Sequence, residues 1–291
     1  MNSNSCPACG AEMARLYRTT FPGEPWMHRC GACGFCAVRP LSESREVYDD
    51  AYTAGSDAGR KNRRLAPDYF RKLRPFLADE HRAVLEVGGS HGWLSQLIRE
   101  RTGARTTLLE PGRSAIASAQ ARGLDARCGF LEDFATDERF DLLCAAHVIE
   151  HVADVDRFLA ACARLLRPGG TLFLLTPNAD AWKLARFRGQ WAWAVPDGHT
   201  LFLSAGSARE LLARHGFEPL AASAVSPAFA HYPLFVARAL AKWRARLRFG
   251  RLLGVATRPL ALAEFALLRV LDLFHGADRA DELLVVARRC S

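Results

Sequence analysis

The chain has 291 residues, of which 49% are hydrophobic, and a formal net charge of +8. This length supports a full α/β core with one small additional module. No run of eighteen uncharged apolar residues is present, so no membrane span is predicted, and the first residues do not resemble a secretory signal. We therefore expect a cytoplasmic protein whose nine cysteines are thiols or metal ligands and not disulfides.

Four cysteines near the N-terminus form two C-x2-C pairs, Cys6 with Cys9 and Cys30 with Cys33. Zn²⁺ prefers four soft ligands in a tetrahedron, and each short cysteine turn supplies two thiolates. The spacing predicts a zinc ribbon over residues 1–40. Because four protein ligands leave no open position, the zinc is expected to be structural. Cys36 adds a third C-x2-C with Cys33; we interpret it as a strand residue, although the sequence leaves open whether it joins the site.

A polar linker and a basic helical segment are predicted over residues 41–80, followed by a larger domain over 81–291. In that domain the apolar runs "AVLEV", "TTLLE", "FDLLCA", "TLFLLTP", "FEPLAASAV" and "ELLVVAR" alternate with helical patterns at 93–101, 113–122, 154–166 and 204–215. Such alternation predicts a parallel sheet with helices on both faces. A ligand is then expected at the carboxyl ends of the strands.

The first predicted strand of this domain runs into a glycine-rich turn, "VLEVGGSHGWL". Gly88, Gly89 and Gly92 let the backbone approach a ligand closely. The turn matches neither the G-x-G-x-x-G dinucleotide fingerprint nor a Walker sequence. Glu110 ends the next strand, where a carboxylate can accept both hydroxyls of a ribose. These features indicate a nucleoside cofactor with an unphosphorylated ribose, which fits S-adenosylmethionine as well as NAD.

The segment "FDLLCAAHVIEHVADVDRFLAACARLLRPGGTLFLLTPN" resembles the class I methyltransferase superfamily. Members of that superfamily carry a Phe-Asp strand, an H-V-x-E-H-V loop, an L-x-P-G-G turn and a strand that ends in Pro-Asn. "GHTLFLSAGSARELLARHGFEP" is similar to the H-L-x-x-F-S block of the same superfamily, and one branch has an N-terminal zinc ribbon followed by a tyrosine-bearing linker. The resemblance covers about 6–225 and the last strand. It implies a Rossmann-like α/β sheet of seven strands, mostly parallel with an antiparallel last strand, and a helical insertion at about 227–280.

The resemblance also implies S-adenosylmethionine as cofactor and a role for each matching residue. Glu86, Gly88, Gly89 and Gly92 would shape the pocket for the methionine end, and Glu110 would hold the ribose. Glu132 or Asp133 would lie near the adenine, and His147 would line the methyl-transfer site. The turn departs from the usual acid-x-G-x-G-x-G pattern because Ser90 replaces the second glycine; we expect binding to tolerate this small residue. The role of His91, in the same turn, is open.

Methyl transfer is an in-line displacement at a sulfonium, so the protein has to align the acceptor and remove its proton. A histidine can serve as general base near neutral pH, and His147 and His199 are the candidates, with His231 and Tyr232 behind them. "HVIEH" is also formally the H-x-x-E-H motif of a zinc peptidase family. That function needs both histidines on one helical face, whereas His147 directly follows an apolar strand and is expected in a loop.

The acceptor is less well defined. Three tryptophans before His199, at positions 182, 191 and 193, suit a sugar or a flat ring, so we expect a small-molecule, glycosylated or lipid-linked acceptor. The loop "AAHVIEH" lacks the N-P-P-Y pattern used for nucleobase amines, which disfavours nucleic acid. Seven basic residues and no acidic one lie between Arg238 and Arg258, and an apolar stretch follows. Residues 238–275 are therefore candidates for peripheral membrane contact, and whether the whole insertion at about 227–280 is a lid, a membrane patch or a homodimer interface stays open. The alternatives are an rRNA or other nucleic-acid methyltransferase and a non-enzymatic, nucleic-acid-binding zinc ribbon. The acceptor atom, oxygen, nitrogen or carbon, stays open.

Overall fold

The structure is a computed structural model that describes residues 4–19, 23–39, 56–191, 193–194, 198–226, 263–264, 266–272 and 274–291. Within these residues no helix is both long and apolar enough to cross a bilayer. His231, Tyr232 and most of the predicted insertion, including the basic residues 238–258, lie outside the described residues.

A seven-stranded sheet forms the centre of the molecule, in the order β10-β11-β8-β7-β4-β5-β6. Its strands are β4 (Ala83–Val87), β5 (Arg105–Glu110), β6 (Asp125–Cys128), β7 (Phe140–Ala146), β8 (Leu166–Pro177), β10 (Phe217–Val225) and β11 (Glu282–Arg289). Neighbouring strands from β8 to β6 are parallel, whereas β11 runs antiparallel to both β8 and β10. The predicted sheet with its antiparallel last strand is thus confirmed.

Helices cover both faces of the sheet because successive strand residues point to opposite sides. Along β4, Leu85 packs with α4 (Val155–Leu165) and α6 (Ala205–Arg214), whereas Val84 packs with α1 (Ser56–Leu73) and α2 (Trp93–Thr102). Two further helices are α3 (Arg113–Gln120) and the short α5 (Trp182–Phe187).

The ends of these helices follow local sequence signals. Asp154 caps α4 by accepting from the backbone N–H groups of Asp156 and Arg157, each at 3.0 Å. Ser204 and Ser207 form a reciprocal capping box at the start of α6. Left-handed Gly103, with φ +70°, ends α2. The predicted helices therefore begin and end within about two residues of their observed bounds.

The N-terminal residues form a second, four-stranded antiparallel sheet in the order β1-β2-β3-β9. Its strands are β1 (Met13–Arg18), β2 (Trp26–Cys30), β3 (Cys36–Arg39) and the two-residue β9 (Leu201–Phe202), which comes from the larger domain. The ribbon is also held by Arg29, which donates to Ala179 O at 2.7 Å and to Asp180 Oδ1 at 2.5 Å. The proposed boundaries at 40 and 80 stay predictions.

A buried ionic cluster joins the end of the insertion to the sheet. Lys183 Nζ, fully buried, lies 2.9 Å from Asp272 Oδ1 and 2.5 Å from Asp281 Oδ2. The indole N–H groups of Trp182 and Trp191 donate to the same two carboxylates at 2.7 and 3.1 Å. Residues 263–264, 266–272 and 274–275 are helical, so this cluster fixes that helical stretch next to the carboxyl end of β8.

Candidate active site

The glycine-rich turn connects β4 to α2 at the carboxyl edge of the sheet. Gly88 and Gly92 have φ of +66° and +72°, in the left-handed region that favours glycine. A Cβ on Gly88 would lie 2.5 Å from Val148 Cγ2, and the Gly88 N–H donates to Leu109 O at 2.8 Å. The turn is therefore packed tightly between β5 and the loop that follows β7.

Glu86 lies underneath this turn and supports it. Its Oε2 accepts hydrogen bonds from the backbone N–H and the hydroxyl of Ser95, at 2.8 and 2.5 Å. A Cβ on Gly89 would come within 2.7 Å of all three carboxyl atoms of Glu86. Burial raises the pKa of the Glu86 carboxyl to about 7, although the Ser95 hydrogen bonds act in the opposite direction. Gly89 thus packs directly against the Glu86 carboxyl group, beneath the predicted cofactor pocket.

Glu110 lies at the end of β5 and contacts the same turn. One carboxylate oxygen accepts from the Ser90 N–H at 2.9 Å, and the other accepts from the Gly112 N–H at 3.0 Å. A carboxylate oxygen has a further acceptor site beyond one hydrogen bond. Burial raises the Glu110 pKa, and the two backbone donors oppose that rise. The side chain is therefore fixed in place with acceptor capacity left for a pair of hydroxyl groups, which fits the predicted ribose site.

The departure at position 90 is accommodated by the turn. Ser90 has φ +50°, a conformation that is uncommon for residues with a side chain. Besides the backbone hydrogen bond to Glu110, the Ser90 hydroxyl lies 3.0 Å from His91 Nδ1. Burial, reinforced by the nearby Arg122, lowers the His91 pKa. The serine hydroxyl thus orients His91 within the turn.

The two candidates for adenine contact lie in a 3₁₀ turn, Leu131–Asp133, that follows β6. Asp133 is exposed and lies 3.7 Å from Arg157. Glu132 is half-buried. An adenine contact by either Glu132 or Asp133 stays a prediction.

His147 follows β7 directly, in the loop position that the sequence predicts, with φ +58°. Its ring stacks on Trp193 with centroids 4.7 Å apart. Its Nδ1 lies 3.1 Å from Glu150 Oε1 and its Nε2 lies 3.2 Å from Glu282 Oε1. Burial alone would lower the His147 pKa, but the two carboxylates outweigh it and raise the pKa to about 9. In this arrangement the imidazole is protonated at neutral pH, which does not favour a role as proton acceptor.

The second candidate base, His199, lies in a buried cluster with Glu150 and His151. His199 Nδ1 is 2.7 Å from Trp193 O, and His151 Nδ1 is 3.0 Å from Gly198 O. The two imidazole rings meet edge to face at 4.4 Å. Burial lowers the His199 pKa to about 3. Because a carbonyl oxygen only accepts, Nδ1 of His199 carries the proton and Nε2 carries the lone pair.

A chain of buried polar contacts that the sequence did not predict extends beyond His147. Lys72 Nζ lies 2.7 Å from Asp68 and 2.5 Å from Glu282 Oε2, and the other oxygen of Glu282 faces His147. At the opposite end, the Thr176 hydroxyl donates to Glu150 Oε2 at 2.9 Å. An acid at the start of the apolar strand "ELLVVAR" is the one sequence feature that could have indicated Glu282.

The four predicted zinc ligands come together at one end of the ribbon. The sulfur atoms of Cys6, Cys9, Cys30 and Cys33 all lie within 4.8 Å of one another. The Cys6–Cys33 and Cys9–Cys30 sulfur distances are both 3.5 Å. Sulfur atoms around a tetrahedral Zn²⁺, at about 2.3 Å from the metal, would lie about 3.8 Å apart. The arrangement therefore fits a structural zinc, and the four-cysteine set does not include Cys36, which begins β3.

Comparisons with known proteins agree with the fold. A family profile described as "Methyltransferase domain" matches residues 59–222. The ubiquinone biosynthesis O-methyltransferase of Nitrobacter winogradskyi is 39% identical over 106 residues, which cover 34% of this chain and 40% of that protein. This match therefore spans well under half of the relative's length.

Solved structures show the same fold at low sequence identity. An S-adenosylmethionine-dependent methyltransferase from Mesorhizobium loti superposes with a TM-score of 0.51 at 20% identity, covering 76% of this chain and 97% of that one. Phosphoethanolamine N-methyltransferase 2 of Haemonchus contortus, in complex with S-adenosyl-L-methionine, gives 0.57 at 12% identity, covering 88% and 62%. Because the family profile spans more than half of the sequence, and the sheet has the order and direction described above, the chain belongs to the methyltransferase domain family.

Proposed function

We propose that this protein transfers a methyl group from S-adenosylmethionine to a small-molecule or glycosylated acceptor. The observation that carries the proposal is the position of Glu110, a buried carboxylate held by two backbone N–H groups beside the glycine-rich turn. When bound, S-adenosylmethionine supplies an electrophilic methyl group. Glu110 would accept the ribose hydroxyls, and the turn from Gly88 to Gly92 would enclose the methionine end.

His147, which follows β7, and His199, which precedes β9, support a role in activating the acceptor. His199 keeps a lone pair on Nε2 in its neutral form, and Trp193 stacks near both His147 and His199, with centroids at 4.7 and 6.1 Å. Because burial lowers the pKa of His199 to about 3, its ring is a weak base at neutral pH. We propose that His199 Nε2 accepts a hydrogen bond from the acceptor and aligns it while the acceptor's proton passes to solvent, whereas His147, paired with two carboxylates, positions the loop and the indole of Trp193.

Calorimetry with S-adenosylmethionine and S-adenosylhomocysteine tests the cofactor site. Hydrogen bonds to a charged group contribute about 1.5–3 kcal/mol each and neutral ones about 0.5–1.5 kcal/mol. Loss of the Glu110 charge should therefore cost about 1–1.5 kcal/mol for each of the two ribose hydroxyls and weaken binding by about 30- to 150-fold. Glu110→Gln keeps the shape of the side chain, and Glu218→Gln, on the exposed face of β10, is the matched control. Equal affinities of the native protein and Glu110→Gln, or no binding by the native protein, would remove the basis of the proposal.

Radiolabelled methyl transfer tests the acceptor class. The protein and labelled cofactor are incubated separately with low-mass metabolites, glycolipids and RNA, and label is expected in one of the first two fractions. His199→Ala should abolish that labelling while keeping the affinity for S-adenosylhomocysteine. Labelling confined to RNA would favour a nucleic-acid methyltransferase instead.

An amphiphilic acceptor is supported by apolar side chains on the helical residues 266–272 and 274–275. Leu267, Val270 and Phe274 are 59%, 47% and 82% exposed, and a spacing of three and then four residues is typical of one helical face. We propose that this face contacts a lipid-linked acceptor or the membrane that carries it. Phe274→Asp should reduce co-sedimentation with anionic vesicles and leave cofactor affinity unchanged. Unchanged vesicle binding, together with a loss of self-association, would assign the face to a homodimer.

A further inference from the structure

Glu150, His151 and His199 form a cluster that is separate from the cysteine site. Each side chain offers one ligand atom, and the three atoms lie within 4.8 Å of one another. The cluster lies where the loop after β7 meets the chain that leads into β9, and the Thr200 N–H donates to Glu150 O at 2.9 Å. Backbone hydrogen bonds therefore hold the two contributing segments together.

The orientation of the two imidazoles is the feature that indicates a metal site. In both histidines Nδ1 lies within hydrogen-bond distance of a backbone carbonyl, Gly198 O for His151 and Trp193 O for His199. Metal-binding histidines characteristically donate their second N–H to such a group, which fixes the ring and directs the other nitrogen at the metal. The same donor–acceptor arrangement occurs twice in this cluster.

The carboxylate is held in a comparable way. Glu150 is fully buried, and its two oxygens contact His147 Nδ1 at 3.1 Å and the Thr176 hydroxyl at 2.9 Å. Carboxylate ligands of metals are themselves commonly hydrogen-bonded, and each oxygen has a further lone pair for the ion. The ligand atoms of a four- or six-coordinate centre lie about 3–3.5 Å apart at metal–ligand distances of about 2.1 Å. From separations of up to 4.8 Å, the ligand atoms would have to close by at most about 1–2 Å to reach that geometry.

We propose that Glu150, His151 and His199 bind a divalent first-row transition-metal ion. Two imidazole nitrogens and one carboxylate oxygen suit Zn²⁺, Fe²⁺, Co²⁺ or Mn²⁺, and three protein ligands leave coordination positions open. The ligand set differs from the H-x-x-E-H motif in the sequence. His147, the first histidine of that motif, stacks on Trp193 and pairs with Glu282, and His199 takes its place as the third ligand.

The consequence for catalysis rests on the proposed function. An ion in this position would bind an oxygen-bearing acceptor and lower the pKa of its hydroxyl group, so that the proton would pass to solvent. The resulting oxyanion would take the methyl group as the bond to the cofactor's sulfur breaks, and His199 would act on the acceptor as a metal ligand. The preferred acceptor class would be an alcohol, phenol or hydroxy acid whose oxygen can reach the open coordination positions.

Metal titration of the full chain, with the cysteine site kept loaded with zinc, tests the proposal. Added Mn²⁺ is followed by the loss of its free-ion EPR signal, and added Co²⁺ by visible absorption without a thiolate-to-cobalt charge-transfer band. One equivalent of each ion is expected to bind to the native protein. His199→Ala and Glu150→Gln should weaken binding by more than about 100-fold, beyond the effect of losing an outer-shell partner. His81→Ala, which removes a histidine at the opposite edge of the sheet, should leave it unchanged.

The outcomes separate this inference from the proposed function. Affinity for S-adenosylhomocysteine, measured on the same preparations, shows whether each variant is folded, and Glu150→Gln keeps the shape of the buried side chain if His199→Ala does not fold. If the native protein binds neither Mn²⁺ nor Co²⁺ beyond the ribbon, or if both variants bind as the native protein does, the metal site is excluded. Methyl transfer that persists in metal-free protein would leave the proposed function standing without the ion. Metal binding by a native protein that does not bind S-adenosylhomocysteine would support the metal site and contradict the proposed function.

Discussion

The carboxyl group of Glu86 should make the stability of the ligand-free protein depend on pH. Its pKa is about 7 in the folded protein, against an ordinary value of 4.5. The folded state therefore binds a proton more tightly than the unfolded state, so stability falls as the pH rises from about 4.5 to about 7 and is constant above that range. At about 1.4 kcal/mol per pKa unit, the full effect is about 3 kcal/mol.

Glu86→Gln isolates this contribution because the amide resembles the protonated carboxyl. A glutamine oxygen can still accept both hydrogen bonds from Ser95, which converge on one oxygen of Glu86. The free energy of unfolding of the variant, relative to that of the native protein, should rise by about 2 kcal/mol between pH 5.5 and pH 8. The other titrating groups are common to both proteins and cancel in the difference.

Urea denaturation followed by tryptophan fluorescence, at pH 5.5 and pH 8 and with zinc present, provides the measurement. Glu218→Gln, exposed on β10, controls for the loss of one negative charge. The difference in unfolding free energy between this variant and the native protein should be similar at both pH values. If the difference between Glu86→Gln and the native protein is also the same at both pH values, the reasoning is refuted. It would mean that solvent reaches the Glu86 carboxylate and keeps it ionised at neutral pH.

Three further outcomes are expected. Lys183→Met should lower the free energy of unfolding by about 3–5 kcal/mol, because it leaves Asp272 and Asp281 buried without their cation; Lys183→Met combined with Asp281→Asn should recover part of this loss in the same urea experiment. Gly89→Ala should weaken S-adenosylhomocysteine binding by at least about 10-fold, since its Cβ would displace the Glu86 carboxylate; unchanged affinity by calorimetry would contradict this. When a chelator is added, the amount of zinc released should be proportional to the loss of the ribbon's near-UV circular dichroism signal. The Cys128→Ser variant, whose substitution lies outside the four-cysteine cluster, should release zinc at the same rate as the native protein.

The parallel sheet could be predicted because its central strands are buried on both faces and are therefore apolar except for one acid each, as in "AVLEV" and "FDLLCA". β6 (Asp125–Cys128) was missing from the predicted runs, since its residues "DARC" lie at the edge of the sheet and alternate with charged groups. β9 was also missed. Two residues carry no periodic pattern, and their strand conformation depends on pairing with β3.

One part of the candidate site could likewise be predicted from the sequence, and another part could not. The glycine turn and Glu110 follow from local chemistry at the ends of adjacent strands, and sequence spacing places them correctly. The partners of His147 could not be predicted, because Glu282 lies 135 residues further along the chain and approaches only once β11 inserts beside β8. The protonation of His147 depends on that approach. A sequence that shows an H-V-x-E-H loop therefore cannot say which of its histidines is able to accept a proton.

Pairing between β3 and β9 has a consequence for how the chain can be divided. Val38 N–H donates to Thr200 O, and Thr200 N–H donates to Glu150 O, so the residue next to His199 is held between the ribbon and the loop after β7. Cys6, Ala8 and Phe35 of the ribbon also share one apolar core with Leu203, Leu211 and Leu212. Oxidation of the ribbon thiols, or truncation before residue 40, would thus loosen the segment that carries His199. Loss of the ribbon structure would therefore disturb the histidine cluster, although none of the ribbon's cysteines belongs to that cluster.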